Sequence, residues 1–130
     1  MNKKGEKEFA LAFQHLASLM NCRSEFIPDV IPLKRYGKII AHRRPFDAVL
    51  YTPDKVYSIE FKYQYGKLKD HQRQTGKAIN DIILSYYVIR KKVNSKLHTI
   101  YTIENVNGDN LFQTNDLQNI IVAFRENYED

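Results

Sequence analysis

Residues 46–63 limit the possible folds more than any other stretch of this chain. Phe46-Asp47-Ala48-Val49-Leu50-Tyr51 and Val56-Tyr57-Ser58-Ile59-Glu60-Phe61-Lys62-Tyr63 are rich in β-branched and aromatic residues. They flank Thr52-Pro53-Asp54-Lys55, in which proline pre-sets φ at the second position of a turn. The expected structure is a β-hairpin centred on Pro53-Asp54. Leu50 then faces Tyr57, Ala48 faces Ile59 and Phe46 faces Phe61, which makes one face wholly apolar and directs it to a core. The other face pairs Tyr51 with Val56, Val49 with Ser58 and Asp47 with Glu60, and Lys62 lies two residues beyond Glu60 on that same side.

Two carboxylates directly opposite each other stand about 4.5–5.5 Å apart at Cβ, and like charges at that range destabilise a hairpin. A divalent cation would compensate. Mg²⁺ prefers oxygen ligands and commonly binds through one or two carboxylates, with water and phosphate oxygens completing its shell. The backbone carbonyl of Phe61 is a further candidate oxygen ligand. Such an ion can polarise a phosphodiester and lower the pKa of an attacking water, while a neighbouring lysine positions that water or stabilises developing negative charge.

The rest of the chain reads as a mixed α/β domain occupying residues 1–130. Residues 5 to 20 are expected to form a helix with Phe9, Ala12, Phe13, Leu16, Leu19 and Met20 on one apolar face. Pro28, Pro32 and Gly37 break residues 21 to 45 into short extended pieces and turns. A helix is expected over 69–84, with Ile79, Ile82 and Ile83 apolar, then strands over 85–93 and 98–103. Asn107-Gly108-Asp109-Asn110 reads as a turn. Asn115 is the expected N-cap of a closing helix, with Gln118 its partner and Leu117, Ile120, Ile121, Phe124 and Tyr128 on its apolar face.

Charge narrows the partner class. The 130 residues carry a net charge of +5. Between Lys34 and Lys96 there are 15 Lys or Arg against 5 Asp or Glu, whereas from Glu104 onward there are 6 acids and only Arg125 as a base. A local excess of that size suits a polyanionic partner. Arg43 and Arg44 precede the Asp47 strand, and Lys67, Lys69, Arg73 and Lys77 lie on or before the following helix. These are the expected phosphate contacts, joined by Lys34, Arg35 and Lys38. Tyr63 and Tyr65 are read as packing residues in preference to base-stacking platforms. Gly76, which costs about 1 kcal/mol in a helix relative to Ala, points to close packing. The histidines lack metal-ligand spacing, so no zinc site is expected, and His71 reads as a surface residue. No apolar run approaches the roughly 18 residues that span a membrane. The charged start lacks the apolar core of a secretory signal, and the single cysteine, Cys22, reads as a small buried residue in a reducing cytoplasm.

Asp47, twelve intervening residues and Glu60-Phe61-Lys62 together resemble the PD-(D/E)xK nuclease superfamily. The nearest flavour is the Holliday-junction resolvases and related phage or VRR-type nucleases. Phe46 stands where proline is usual, with Pro45 one place earlier. Leu68-Lys69-Asp70-His71-Gln72 and Tyr86-Tyr87-Val88-Ile89-Arg90 extend the likeness, which covers roughly residues 5 to 92. The resemblance implies a restriction-endonuclease-like αβββαβ core, a mixed sheet flanked by helices, and dependence on Mg²⁺ or Mn²⁺. It implies Asp47 and Glu60 as metal ligands, Lys62 as the catalytic lysine and Gln72 beside the site. A glutamate from the first helix is a further ligand, and both Glu6 and Glu8 remain candidates. The expected substrate is DNA, in particular branched or junction DNA cut by a homodimer in a bacterial or phage context. A non-catalytic binding module, or a nuclease acting on flaps or duplex ends, is the alternative.

Overall fold

A computed structural model describes residues 3–27, 30–35, 38–43, 46–82 and 85–126. The chain begins with helix α1 (Lys3–Leu19), strand β1 (Arg23–Phe26) and the strands β2 (Val30–Arg35) and β3 (Lys38–Arg43). Next come β4 (Ala48–Tyr51), β5 (Val56–Tyr63), α2 (Asp70–Ile82) and β6 (Ser85–Val93). It continues with β7 (Thr99–Glu104), β8 (Asn110–Thr114) and α3 (Leu117–Arg125). Six strands form one mixed sheet in the order β1-β4-β5-β6-β7-β8, while β2 and β3 pair as a separate two-stranded sheet. Neighbours in the large sheet are antiparallel except β5 and β6, which run parallel with α2 between them. Such a crossover is what a parallel pair requires.

The expected hairpin forms with the expected register: Ala48 opposes Ile59, Val49 Ser58, Leu50 Tyr57 and Tyr51 Val56. Thr52 closes the turn, bonding Lys55 through both its amide and its hydroxyl. β5 is buried on both faces along residues 57–62, as befits a central strand covered on both sides. On one side α1 and α3 deliver Phe9, Phe13, Ala17, Leu117, Ile120, Ile121 and Phe124 onto Ala48, Leu50, Tyr57, Ile59, Phe61, Tyr87 and Ile89. Phe61 meets Phe9 and Phe13 edge-on at 5.5 and 5.4 Å, and Phe124 meets Tyr57 at 4.8 Å. These are the favoured aromatic geometries. Cys22 is buried in the same core.

The second cluster holds Phe46, Tyr86, Val88 and Val106, with Ile27, Val49 and Leu68 against it. Gly76 brings α2 onto it: a Cβ there would lie 2.7 Å from the Tyr86 ring and 3.0 Å from Val106. Asn80 of α2 also accepts the Tyr86 backbone N–H at 2.8 Å. The expected packing role of Gly76 therefore holds.

Several expectations are corrected. Phe46 belongs to the second cluster and not opposite Phe61, because the β4 ladder ends at Ala48 and the chain turns before it. The buried stripe of α1 follows Phe9, Phe13 and Ala17 at steps of four, which leaves Ala12 and Leu19 exposed. β8 was not expected as a strand. Its strand character comes from pairing with β7 across a register shift at Ile103/Glu104, and its own alternation is weak. The N-cap of α3 is Asp116 and not Asn115: its carboxylate accepts the Gln118 N–H at 3.0 Å. Arg44, Ile83, Tyr128, Pro28, Gly37 and Pro45 lie outside the described residues. No helix among the described residues is long and apolar enough to cross a membrane.

Candidate metal centre

The end of the β4 ladder creates the site. One residue before Ala48, the Asp47 N–H donates to Ile59 O at 3.1 Å, and Asp47 Oδ2 accepts the Phe61 N–H at 2.8 Å. A side-chain carboxylate thus takes the place of a strand carbonyl as partner to β5. The tie fixes Asp47 beside Glu60 by a different route from the straight pairing expected. Asp47 is 7% exposed, Glu60 3% and Lys62 2%.

Glu6, in the first turn of α1, completes the group. One carboxylate oxygen each from Glu6, Asp47 and Glu60 lie within 4.8 Å of one another, a spacing that can hold a metal ion. Gly5 permits this approach: a Cβ there would sit 2.8 Å from the Tyr63 ring at the end of β5. Glu8, the other candidate, is exposed and lies outside the group. Tyr63 therefore packs, as expected.

Gln72 connects the remaining parts. Its Nε2 donates to Glu60 Oε2 at 3.2 Å, and its Oε1 accepts from Lys62 Nζ at 3.3 Å and from the Lys69 backbone N–H at 2.9 Å. Lys62 Nζ lies 4.0 Å from Glu60 Oε2. Gln72, expected beside the site, stands next to Glu60 and Lys62. For Phe61 the structure ties the backbone N–H to Asp47.

Burial dominates the electrostatics. It pushes the Glu60 carboxyl up to about 9, reinforced by the charge of Asp47, a hydrogen bond shared with Asp47 and the charge of Glu6, while Lys62 pulls the other way. The single ammonium of Lys62 does not overcome the burial penalty on Glu60. An all-oxygen donor set of three carboxylates suits a hard divalent cation.

From the sequence Tyr86 is expected only as part of a strand segment, with no place in the site, yet it adjoins this group. Its hydroxyl is buried with no hydrogen-bond partner among the described residues, as is that of Ser58, its register neighbour on β5. Burial and the charges of Glu60 and Asp47 raise the Tyr86 phenol well above its ordinary value. Only the β5–β6 register, which a single sequence does not reveal, could have placed it here.

Arg90 was likewise not singled out as a site residue. It forms a bidentate pair with Glu104, at 2.8 and 3.2 Å, and donates to the carbonyls of Gln64 and Gly66. It thereby secures the turn between β5 and α2.

The expected phosphate contacts divide. Lys67, Lys69, Arg73 and Lys77 are all exposed. Arg73 and Lys77, four residues apart, share one side of α2, and Lys69 immediately precedes that helix. Arg73 Nη1 is 3.9 Å from Asp70 Oδ1, a surface contact of little energetic weight. Arg43 ends β3 opposite Val30, away from this row in sequence. His71 is exposed, and Tyr65 is exposed where packing was expected. No protein-family model matches the chain, and no curated protein matches it either.

Proposed function

We propose that the chain is a Mg²⁺- or Mn²⁺-dependent DNA endonuclease of the PD-(D/E)xK kind, selective for branched DNA in the manner of a Holliday-junction resolvase. The observation that carries this reading is the buried ammonium of Lys62, hydrogen-bonded through Gln72 to Glu60 beside three gathered carboxylates. The element order supports it. With the β2–β3 hairpin set aside, α1-β1-β4-β5-α2-β6 follows the αβββαβ sequence that the motif implies.

Glu6, Asp47 and Glu60 would hold the ion. Once bound, it supplies the charge that polarises the scissile phosphate and lowers the pKa of water. The protein's own groups do the rest. Lys62 donates to the attacking water or to a phosphate oxygen as negative charge develops. Gln72 fixes the direction of that ammonium. Asp47, tied to the Phe61 amide, holds its carboxylate in place without relying on a mobile side chain. Lys67, Lys69, Arg73 and Lys77 position the flanking phosphates without reading sequence. A two-fold dimer would place two such centres for paired cuts across a junction.

The test is incubation of a synthetic four-way junction, a flap and a plain duplex with the protein and Mg²⁺. Symmetric nicks across the junction are expected. Cleavage of only the flap or duplex ends shifts the substrate class, and binding without cutting leaves a DNA-binding module in place of an enzyme.

A further inference from the structure

The most exposed aromatic ring among the described residues is Tyr65, at 81%. It lies in the turn between β5 and α2, where the backbone on both sides of it is tied down. Gln64 adopts a left-handed φ of 59°. Its N–H donates to Lys91 O at 2.7 Å, and its side chain exchanges hydrogen bonds with the Val93 backbone at 3.2 and 2.9 Å. Arg90 donates to the carbonyls of both Gln64 and Gly66, and Glu104 holds Arg90. The Gly66 N–H returns to Tyr63 O at 3.4 Å. The turn also abuts the candidate centre, since a Cβ on Gly66 would lie 3.7 Å from Lys62 Cδ.

A large exposed ring on a fixed turn, with the Lys92 ammonium over one face, is a preorganised contact, because little ordering of the backbone remains to be done when something binds it. The surroundings select the occupant. Lys92 Nζ lies 5.2 Å from the ring centroid, and Lys67 and Lys69 are exposed just beyond the turn. A flat ring with an ammonium over one face and others just beyond suits a base stacked on its other face, with phosphates running alongside. An apolar protein partner or an acyl chain would leave those charges unmatched.

We propose that Tyr65 is a stacking platform for an unpaired DNA base beside the scissile phosphate. It rests on the DNA-cleaving reading given above, and it adds the feature of the substrate that is recognised. A base inside a continuous duplex has both faces covered by its neighbours. A base in a single strand, or unstacked at a junction or flap, has a free face to offer. Stacking there would favour DNA with such a base over plain duplex.

The chain contains no tryptophan, so Tyr65→Trp introduces a single reporter at an exposed position. Its emission is recorded, without Mg²⁺, while a single-stranded oligonucleotide, a four-way junction or a continuous duplex is added. Binding is followed in parallel by anisotropy of labelled DNA. The expected result is saturable quenching with the single strand and the junction but not with the duplex. Tyr65→Ala is expected to bind the single strand about tenfold more weakly, the usual scale for losing one base stack, with duplex binding unchanged. Binding without quenching, or equal quenching by duplex, overturns the stacking proposal and leaves the nuclease reading standing. Quenching without cleavage in Mg²⁺ keeps the platform and removes the nuclease. Absence of binding to any of the three DNAs removes both.

Discussion

Gln72 of α2 donates a hydrogen bond to Glu60 of β5 over 3.2 Å, and its amide oxygen accepts from Lys62 at 3.3 Å. One neutral side chain thereby sets the direction of both a candidate ligand and the candidate catalytic ammonium. Groups that orient metal ligands and catalytic residues typically cost about 10–100-fold when removed. Gln72→Ala is therefore expected to lower the cleavage rate by about that factor while DNA binding stays near wild type. A rate within twofold of wild type would show that Lys62 needs no such support.

Glu60 gives the pH dependence. Its carboxyl is pushed from 4.5 up to about 9, chiefly by burial and then by Asp47. Across that window the folded protein holds a proton that the unfolded chain has released, so the Glu60 contribution to stability falls as pH rises. Glu60→Gln removes the titration. In metal-free buffer this variant is expected to gain stability relative to wild type as pH rises from 4.5 towards about 9, by up to about 1.4 kcal/mol per pH unit. The gain should vanish near pH 4. Since a carboxylate must lose its proton to bind a cation, wild-type Mn²⁺ affinity should rise over the same window. Melting curves with the opposite pH trend would contradict the assignment.

Glu6 and Glu8 separate cleanly. Glu6→Gln is expected to weaken Mn²⁺ binding by about tenfold or more, and Glu8→Gln to leave it unchanged, as read by calorimetry. Gly5 adds an independent handle, because a Cβ there would stand 2.8 Å from the Tyr63 ring. Gly5→Ala should weaken Mn²⁺ binding by displacing the start of α1, and adding Tyr63→Leu should recover it. Equal loss in Glu6→Gln and Glu8→Gln would contradict the geometry.

The Arg90–Glu104 pair is expected to matter through the turn that it holds. Arg90→Met leaves the Glu104 carboxylate without its bidentate partner in a largely buried site. Breaking one side of such a pair typically costs about 3–5 kcal/mol. Urea denaturation should show a loss of that order, and the double variant Arg90→Met/Glu104→Leu should recover part of it. A loss below about 1 kcal/mol would mean that the turn is held by Gln64 alone.

Much of this arrangement can be read before any coordinates. Alternation and the Pro53 turn determine the β4–β5 register, because a one-residue slip of β4 would turn Ala48 and Leu50 off the face they share with Tyr57 and Ile59. Alternation along β5 puts Glu60 and Lys62 on one side, and Asp47 joins them through its bond to the Phe61 amide. The local chain turn at Phe46 and Asp47 is not legible, since it depends on a side-chain carboxylate replacing a backbone acceptor. β8 escapes detection because its edge position needs little apolar alternation. The choice of Glu6 over Glu8 depends on how Gly5 rests on Tyr63, a contact between residues 58 positions apart. Tyr86 and Arg90 gain their places from the parallel register of β6, and Tyr65 is exposed on a turn that the side chains of Arg90 and Gln64 hold.

The central claim is that Asp47, Glu60 and Lys62 form one metal-dependent cutting site. The most direct measurement follows cleavage of a labelled four-way junction by wild type, Asp47→Asn and Lys62→Ala in Mg²⁺, with junction binding by each protein recorded in parallel. The expected result is cutting by wild type that EDTA abolishes, with both variants binding the junction at near wild-type affinity but failing to cut. Cleavage by either variant at the wild-type rate, or wild-type cleavage unaffected by EDTA, would contradict it.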